Sequence, residues 1–246
     1  MSDEGKVILI TGASRRIGAE IVRSLHRAGF SILMHYHRSG LEAEALAATL
    51  NAARPDSVRL WPADLSAIAT FPMLIEQAVA CWGRLDGLVN NASAFYPTPV
   101  GTVAEPQWEE LLGSNLKAPF FLAQAAAEPL RRQHGSIVNI VDVYAERPLK
   151  GYPVYSVAKA GLAALTRALA VELAPDVRVN GVSPGAILWP AEGQDAAGQA
   201  ELLTRVPLGR SGSPGDIARA VRFFIQDTPY VTGQILAVDG GRSVFI

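Results

Sequence analysis

A chain of 246 residues, 49% hydrophobic and 18% charged, can bury a substantial core, and no linker divides it, so one α/β domain spanning 1–246 is expected. A formal net charge of -1, without basic clusters, excludes nucleic acid and anionic membranes as main partners and leaves a small molecule as the expected ligand. The single cysteine, Cys81, permits neither an internal disulfide nor a cysteine-rich metal site; with a short acidic start and no run of about 18 apolar residues, a soluble cytoplasmic protein is expected.

The β-branched run Lys6-Val7-Ile8-Leu9-Ile10 stops at Thr11-Gly12-Ala13-Ser14-Arg15-Arg16-Ile17-Gly18, after which Ile21, Val22 and Leu25 recur at helical spacing. Strand, glycine turn and helix follow in order. Gly12 allows the tight turn, and the free N–H groups of the helix opened by Ile17 and Gly18 suit a pyrophosphate. Arg16 adds a cation and a planar fork beside the phosphates and the substrate. Phe30 to Tyr36 reads as the second strand and ends at His37-Arg38-Ser39 without an acidic residue. A carboxylate there would favour a ribose 2′-hydroxyl and repel a 2′-phosphate, whereas Arg38, His37, Ser39 and Arg16 offer charge and donors to that phosphate. NADPH is therefore the expected cofactor. For His35, ordinary strand packing and a cofactor role are equally open.

Val58 to Ala63 is a third strand, and Asp64-Leu65 at its end offers a carboxylate to an adenine amine or an N-cap to the next helix. Asp86 to Val89 leads into Asn90-Asn91-Ala92-Ser93, where the asparagines can brace the turn and the small Ala92 lets a ribose approach. Trp108, Leu111, Leu112 and Leu116 mark one side of a helix that contains Asn115. Ile137 to Val141 reads as a buried strand, placing Asp142 at its carboxyl edge, where α/β proteins bind ligands. A helix from Pro153 to Ala174 sets Tyr155 and Lys159 one turn apart on one face. The ammonium is expected to bring the phenol down toward neutrality, and a negative Asp142 to oppose it, so the pair should titrate together. Ionised, Asp142 only accepts hydrogen bonds and cannot polarise a carbonyl; protonated, it donates one, so a simple ketone is a poor fit.

Tyr155-x-x-x-Lys159, Thr11-Gly12 to Gly18 and Asn90-Asn91-Ala92 resemble the short-chain dehydrogenase/reductase superfamily over nearly the whole chain. That superfamily commonly has Ser where this chain has Asp142, and Gly where it has Arg16 and Ser93. The run Thr-Gly-Ala-Ser-Arg-Arg-Ile-Gly with His-Tyr-His-Arg-Ser, and Asn-Ala-Ser-x-Phe-Tyr-Pro-Thr-Pro from Asn91 to Pro99, are similar to the pteridine reductases, NADPH-dependent enzymes that reduce oxidised and dihydro pterins and folates. The resemblance implies a Rossmann-type, doubly wound sheet of about seven parallel strands with helices on both faces. It implies that Asp64 and Leu65 meet the adenine, that Asn91 and Ala92 meet the cofactor, and that Phe95 is one wall for a flat pterin. It leaves Ser93 to serve either the cofactor phosphate or the pterin. It implies that the helix at Asn115 is bent so that its carbonyl holds a water near Lys159. Hydride would pass to pterin C7 with Tyr155 and Asp142 supplying the N8 proton, Lys159 orienting the nicotinamide ribose. A second step would place hydride at C6, with the N5 proton from water.

In the C-terminal third, the strand from Val177 to Val182 ends in Ser183-Pro184-Gly185, which resembles the superfamily loop that fixes the nicotinamide, with backbone near Ile187 meeting the carboxamide. Trp189 stands where many members have Thr. Residues 186–205 are expected to form a substrate cover, with Leu188 and Trp189 lining it. Asp216 to Ile225 is an amphipathic helix, Gly233 to Gly241 a last strand and turn, and the apolar end Val244-Phe245-Ile246 points to a homotetramer. Pterin or folate reduction is the expected function. The rivals are a generic ketoreductase acting on an acyl thioester or other carbonyl, and an NADPH-binding regulatory protein.

Overall fold

The structure is a computed structural model that describes residues 5–187, 198, 201 and 203–244. Seven strands pair in parallel: β1 (Val7–Ile10), β2 (Ser31–Tyr36), β3 (Val58–Pro62), β4 (Gly87–Asn90), β5 (Ser136–Ile140), β6 (Arg178–Pro184) and β7 (Ile235–Val238), in the order β3-β2-β1-β4-β5-β6-β7. The central strands β1, β4 and β5 are buried on both faces, which is why β1 reads as a continuous apolar run and β4 and β5 as largely apolar ones, interrupted by Asn90, Ser136 and Asn139. Pro62, which lacks an N–H, is accommodated because β3 is an edge strand. The expected sheet is thus the observed one, with strand ends differing by one or two residues.

Alternation along β1 divides the interior. Ile8 and Ile10 face α1 (Arg16–Arg27), α2 (Gly40–Ala53) and the late helix α7 (Pro214–Gln226), in a core with Val22, Leu25, Leu46, Ile217 and Phe224. Val7 and Leu9 face α3 (Phe71–Trp82), α5 (Ala118–Gln133) and α6 (Pro153–Glu172), in a core with Leu74, Leu122, Leu130 and Leu169. Length and hydropathy alone would let α6 cross a bilayer, but 56% of its most apolar stretch is buried inside the protein. The chain winds outward from β1 to β3, then returns to β4 beside β1. That reversal opens a crevice at the strands' carboxyl ends.

Between α4 (Glu105–Leu112) and α5, residues Gly113–Lys117 form a wide π turn. The periodicity from Trp108 to Leu116 therefore breaks at Asn115. Leu111 is fully buried while Trp108 keeps 42% of its surface exposed. Wide turns of this kind free a backbone carbonyl and commonly mark functional positions.

Candidate active site

The glycine turn is built by partners from three strands. Thr11 Oγ1 accepts from the N–H groups of Asn91 (2.9 Å) and Ala92 (3.0 Å), while Asn91 Nδ2 donates to the carbonyls of Thr11 and Gly12, both at 2.9 Å. Gly12 has φ +60, and a Cβ on it would lie 2.8 Å from Ala92 Cα; one on Gly18 would lie 2.2 Å from Gly12 O. The cradle thus admits no side chain at either glycine, and α1 presents its first N–H groups there. Gly12 N–H donates to His35 Nδ1 (3.2 Å), so His35 carries its proton on Nε2, which donates to Ala63 O (3.1 Å). Burial pushes this imidazole down to about 4, keeping it neutral. His35 is therefore a bridge between the glycine turn and the end of β3, a role that sequence reading had left undecided. Asn90, expected to brace the turn, instead donates to Asn139 Oδ1 on β5 (2.8 Å).

Arg16 adopts φ 52 at the position where the superfamily has glycine, and its side chain is exposed. Arg38 and His37 are exposed beyond β2, Ser39 is half-buried at the N-cap of α2, and no acidic residue interrupts them. His37 Nε2 lies 4.0 Å from Asp64 Oδ2, and Asp64 Oδ1 accepts from Ser66 N–H (2.9 Å), a turn contact that holds the carboxyl below its usual range. Leu65 packs half-buried against the core. These residues fit a dinucleotide: the cradle is shaped for a pyrophosphate, and His37, Arg38 and Ser39 are the groups that would meet the ribose of its adenosine half.

At the other end of the crevice, Tyr155 Oη donates to Asp142 Oδ2 (2.8 Å), and Asp142 Oδ1 accepts from Tyr144 N–H (2.9 Å). Lys159 Nζ donates to Ile140 O (2.8 Å) and lies 5.7 Å from the Tyr155 ring centre. Asp142 is half-buried as a residue but its carboxyl is desolvated, and this raises its pKa against the pull of Tyr144 N–H, Lys159 and Tyr155. Burial lowers Lys159 to about 8, with Asp142 acting in the opposite sense. The direction at Tyr155 corrects the sequence expectation. Burial, then the charge of Asp142, push the phenol well above its ordinary value rather than down toward neutrality. The reason is that Lys159 spends its hydrogen bond on β5 and lies beside the ring rather than the hydroxyl.

Ser93 Oγ donates to Asn115 Oδ1 (2.7 Å), and Asn115 Nδ2 donates to Ala94 O (2.9 Å) and Leu111 O (3.0 Å). The π turn thereby fastens the strand-end segment 93–94. Ser93, expected to donate to cofactor or substrate, donates within the protein. Phe95 is 42% exposed, stacks on Tyr152 at 4.7 Å and 12°, and meets Tyr155 edge-on at 4.7 Å. Tyr152 had no signal in the sequence beyond its place three residues before Tyr155. Pro184 pairs with Val238, Gly185 lies so close to Asp239 that a Cβ would be 2.6 Å from its Cα, and Ile187 is buried beside them. Leu188, Trp189 and most of the expected cover lie outside the described residues.

Comparison with known proteins agrees with this geometry. The family model described as enoyl-(acyl carrier protein) reductase matches residues 12–243. Pteridine reductase 1 of Leishmania tarentolae is 39% identical, over 99% of this chain and 98% of its own length. A 3-oxoacyl-(acyl-carrier-protein) reductase of Staphylococcus aureus is 34% identical, over 96% of this chain and 97% of its own. Full-length matches of this kind, joined to the Tyr155–Lys159 helix and the glycine cradle, show that the chain belongs to the short-chain dehydrogenase/reductase superfamily as a pteridine-reductase-like oxidoreductase using a nicotinamide cofactor.

Proposed function

We propose that the protein reduces oxidised or dihydro pterins, and folates of the same ring system, with NADPH, and that it works as a homotetramer. The observation that carries the substrate reading is the hydrogen bond between Tyr155 and Asp142, made where the superfamily has a serine hydroxyl. A ketone needs a donor to its oxygen, which serine provides at every pH. A pterin needs a proton on a ring nitrogen. A desolvated carboxyl with a raised pKa, joined to a protonated phenol, forms a buried acid pair that can hold and pass one.

When bound, the nicotinamide supplies hydride. The remaining work falls to the chain's own groups. Tyr155 and Asp142 hold the proton destined for N8, Lys159 braces the end of β5 and faces the ribose, and Phe95 with Tyr152 provides an aromatic wall for a flat ring. His37, Arg38 and Ser39 support the choice of NADPH, since positive charge and hydroxyl donors there favour a 2′-phosphate. Exposed apolar residues on α5 and α6, including Phe120 and Val171, and Val244 near the end of the chain support assembly.

The test is NADPH oxidation with dihydrobiopterin beside acetoacetyl thioester, for the natural protein and for Asp142→Ser. Turnover of the pterin, lost in the variant, is the expected result. Thioester turnover with none on pterins would establish the ketoreductase reading instead.

A further inference from the structure

A cavity of ≈ 310 Å³ opens immediately past Asp142, lined in part by Val143, Tyr144, Arg147, Lys150, Arg205 and Arg242. Four cations on one small cavity are unusual in a chain of formal net charge -1. Arg205 is answered by Glu201 at 2.9 Å. Among the described residues, Arg147, Lys150 and Arg242 have no carboxylate within ion-pair distance.

Two of the three are held in place. Arg242 donates to Tyr144 Oη (3.1 Å) and lies 5.1 Å over its ring, and Arg147 donates to Ser243 O (2.8 Å). These contacts join the segment after β5 to the segment after β7, and they fix the guanidinium groups before any ligand arrives. Tyr144 N–H in turn holds Asp142, so the cavity and the proton-delivering carboxyl share one wall. Like charges held together repel one another, and an oxyanion placed between them relieves that repulsion.

We propose that Arg147, Lys150 and Arg242 form an anion-binding subsite that receives a carboxylate or phosphate carried on the side chain of the substrate. The inference rests on the pterin reading given above. If N8 faces Asp142, then C6, the carbon that bears the side chain, is two bonds away, and the side chain starts close to the wall that Asp142 and this cavity share. The enzyme is then selective for pterins with an acidic tail over those with a neutral hydroxyalkyl tail. Arg147 and Lys150 are specificity-determining residues, and take no part in hydride or proton transfer.

The experiment compares natural protein with Arg147→Gln/Lys150→Gln, and with Lys150→Gln alone, which leaves the contact to Ser243 intact. KM for dihydrofolate is expected to rise about tenfold or more in the double variant, a change of the size that loss of charge-assisted bonds produces, while dihydrobiopterin kinetics stay within about twofold. Added salt should raise KM for dihydrofolate alone. Calorimetry on NADP⁺-loaded protein, with p-aminobenzoylglutamate and separately with inorganic phosphate, reads the subsite without turnover and tells which oxyanion it takes. Binding of either, lost in the double variant, supports the subsite even if no pterin is reduced; that outcome would remove the pterin reading alone. Absence of binding by both probes, or equal binding to the variant, would overturn the subsite even if pterins are reduced.

Discussion

Tyr155 and Asp142 share a hydrogen bond of 2.8 Å, with both groups pushed above their ordinary pKa values by burial. The phenol therefore keeps its proton at neutrality and presents it to the carboxyl. Tyr155→Phe removes the phenolic donor. It is expected to lower kcat by roughly 10²–10⁴-fold, the usual worth of a positioned acid, while NADPH affinity measured by fluorescence titration stays within a few-fold.

The same pair sets the pH dependence. Pterin reduction by the natural protein should fall as pH rises through the raised pKa of Asp142, whereas Asp142→Ser, which is expected to lose turnover, reports on stability. The stability sign agrees: a carboxyl raised in the folded state stabilises the fold below its unfolded pKa, and the contribution is lost as pH rises through the folded value. Urea melts of the two proteins across pH check this second consequence.

Lys159 behaves in the opposite sense. Its folded pKa is lowered from 10.5 to about 8, so the fold favours the neutral amine; this contribution is complete above the unfolded pKa and lost as pH falls through about 8. At neutral pH the buried ammonium is a net burden of order 3 kcal/mol or less. Lys159→Met should therefore raise Tm at pH 7, with a gain that shrinks toward pH 10, and should abolish turnover. A lower Tm at pH 7 would show that the bond to Ile140 O outweighs desolvation.

Arg38→Ser removes the exposed cation beyond β2. The kcat/KM with NADPH should fall by about 10–100-fold, as for loss of a charge-assisted bond, with NADH little changed. Equal losses for both cofactors would remove the case for 2′-phosphate recognition.

His35→Ala leaves the Gly12 N–H and Ala63 O without their partner. A cost of about 1–3 kcal/mol in urea unfolding is expected, together with weaker NADPH binding, because the ring joins the glycine turn to the end of β3. Gly18→Ala should be more severe for the cofactor, since its Cβ would meet Gly12 O at 2.2 Å. Gly215→Ala in the first turn of α7 serves as the contrast: its Cβ would have 3.5 Å to Ser213 Oγ, and it should be neutral or stabilising by up to about 1 kcal/mol.

The strands, the helices and the glycine cradle were legible in the linear sequence because their causes are local. A continuous apolar run marks a doubly buried strand, Gly12 and Gly18 mark positions where no Cβ fits, and a spacing of four puts Tyr155 and Lys159 on one helix face. Asp142 at the end of β5 was legible for the same reason. What the tertiary structure alone decided involves direction and burial. Lys159 turns its amine to Ile140 O, which leaves the Tyr155 pKa to desolvation and to Asp142 and reverses the expected shift. His35 becomes a bridge only because β1, β2 and the end of β3 lie side by side, and Tyr152 becomes an aromatic wall only where its helix start meets Phe95. Arg147 and the backbone of Ser243 are 96 residues apart in the chain, and no local rule relates them. Propensity and spacing act over one turn or one strand, whereas a titrating group answers to whatever the whole fold places around it.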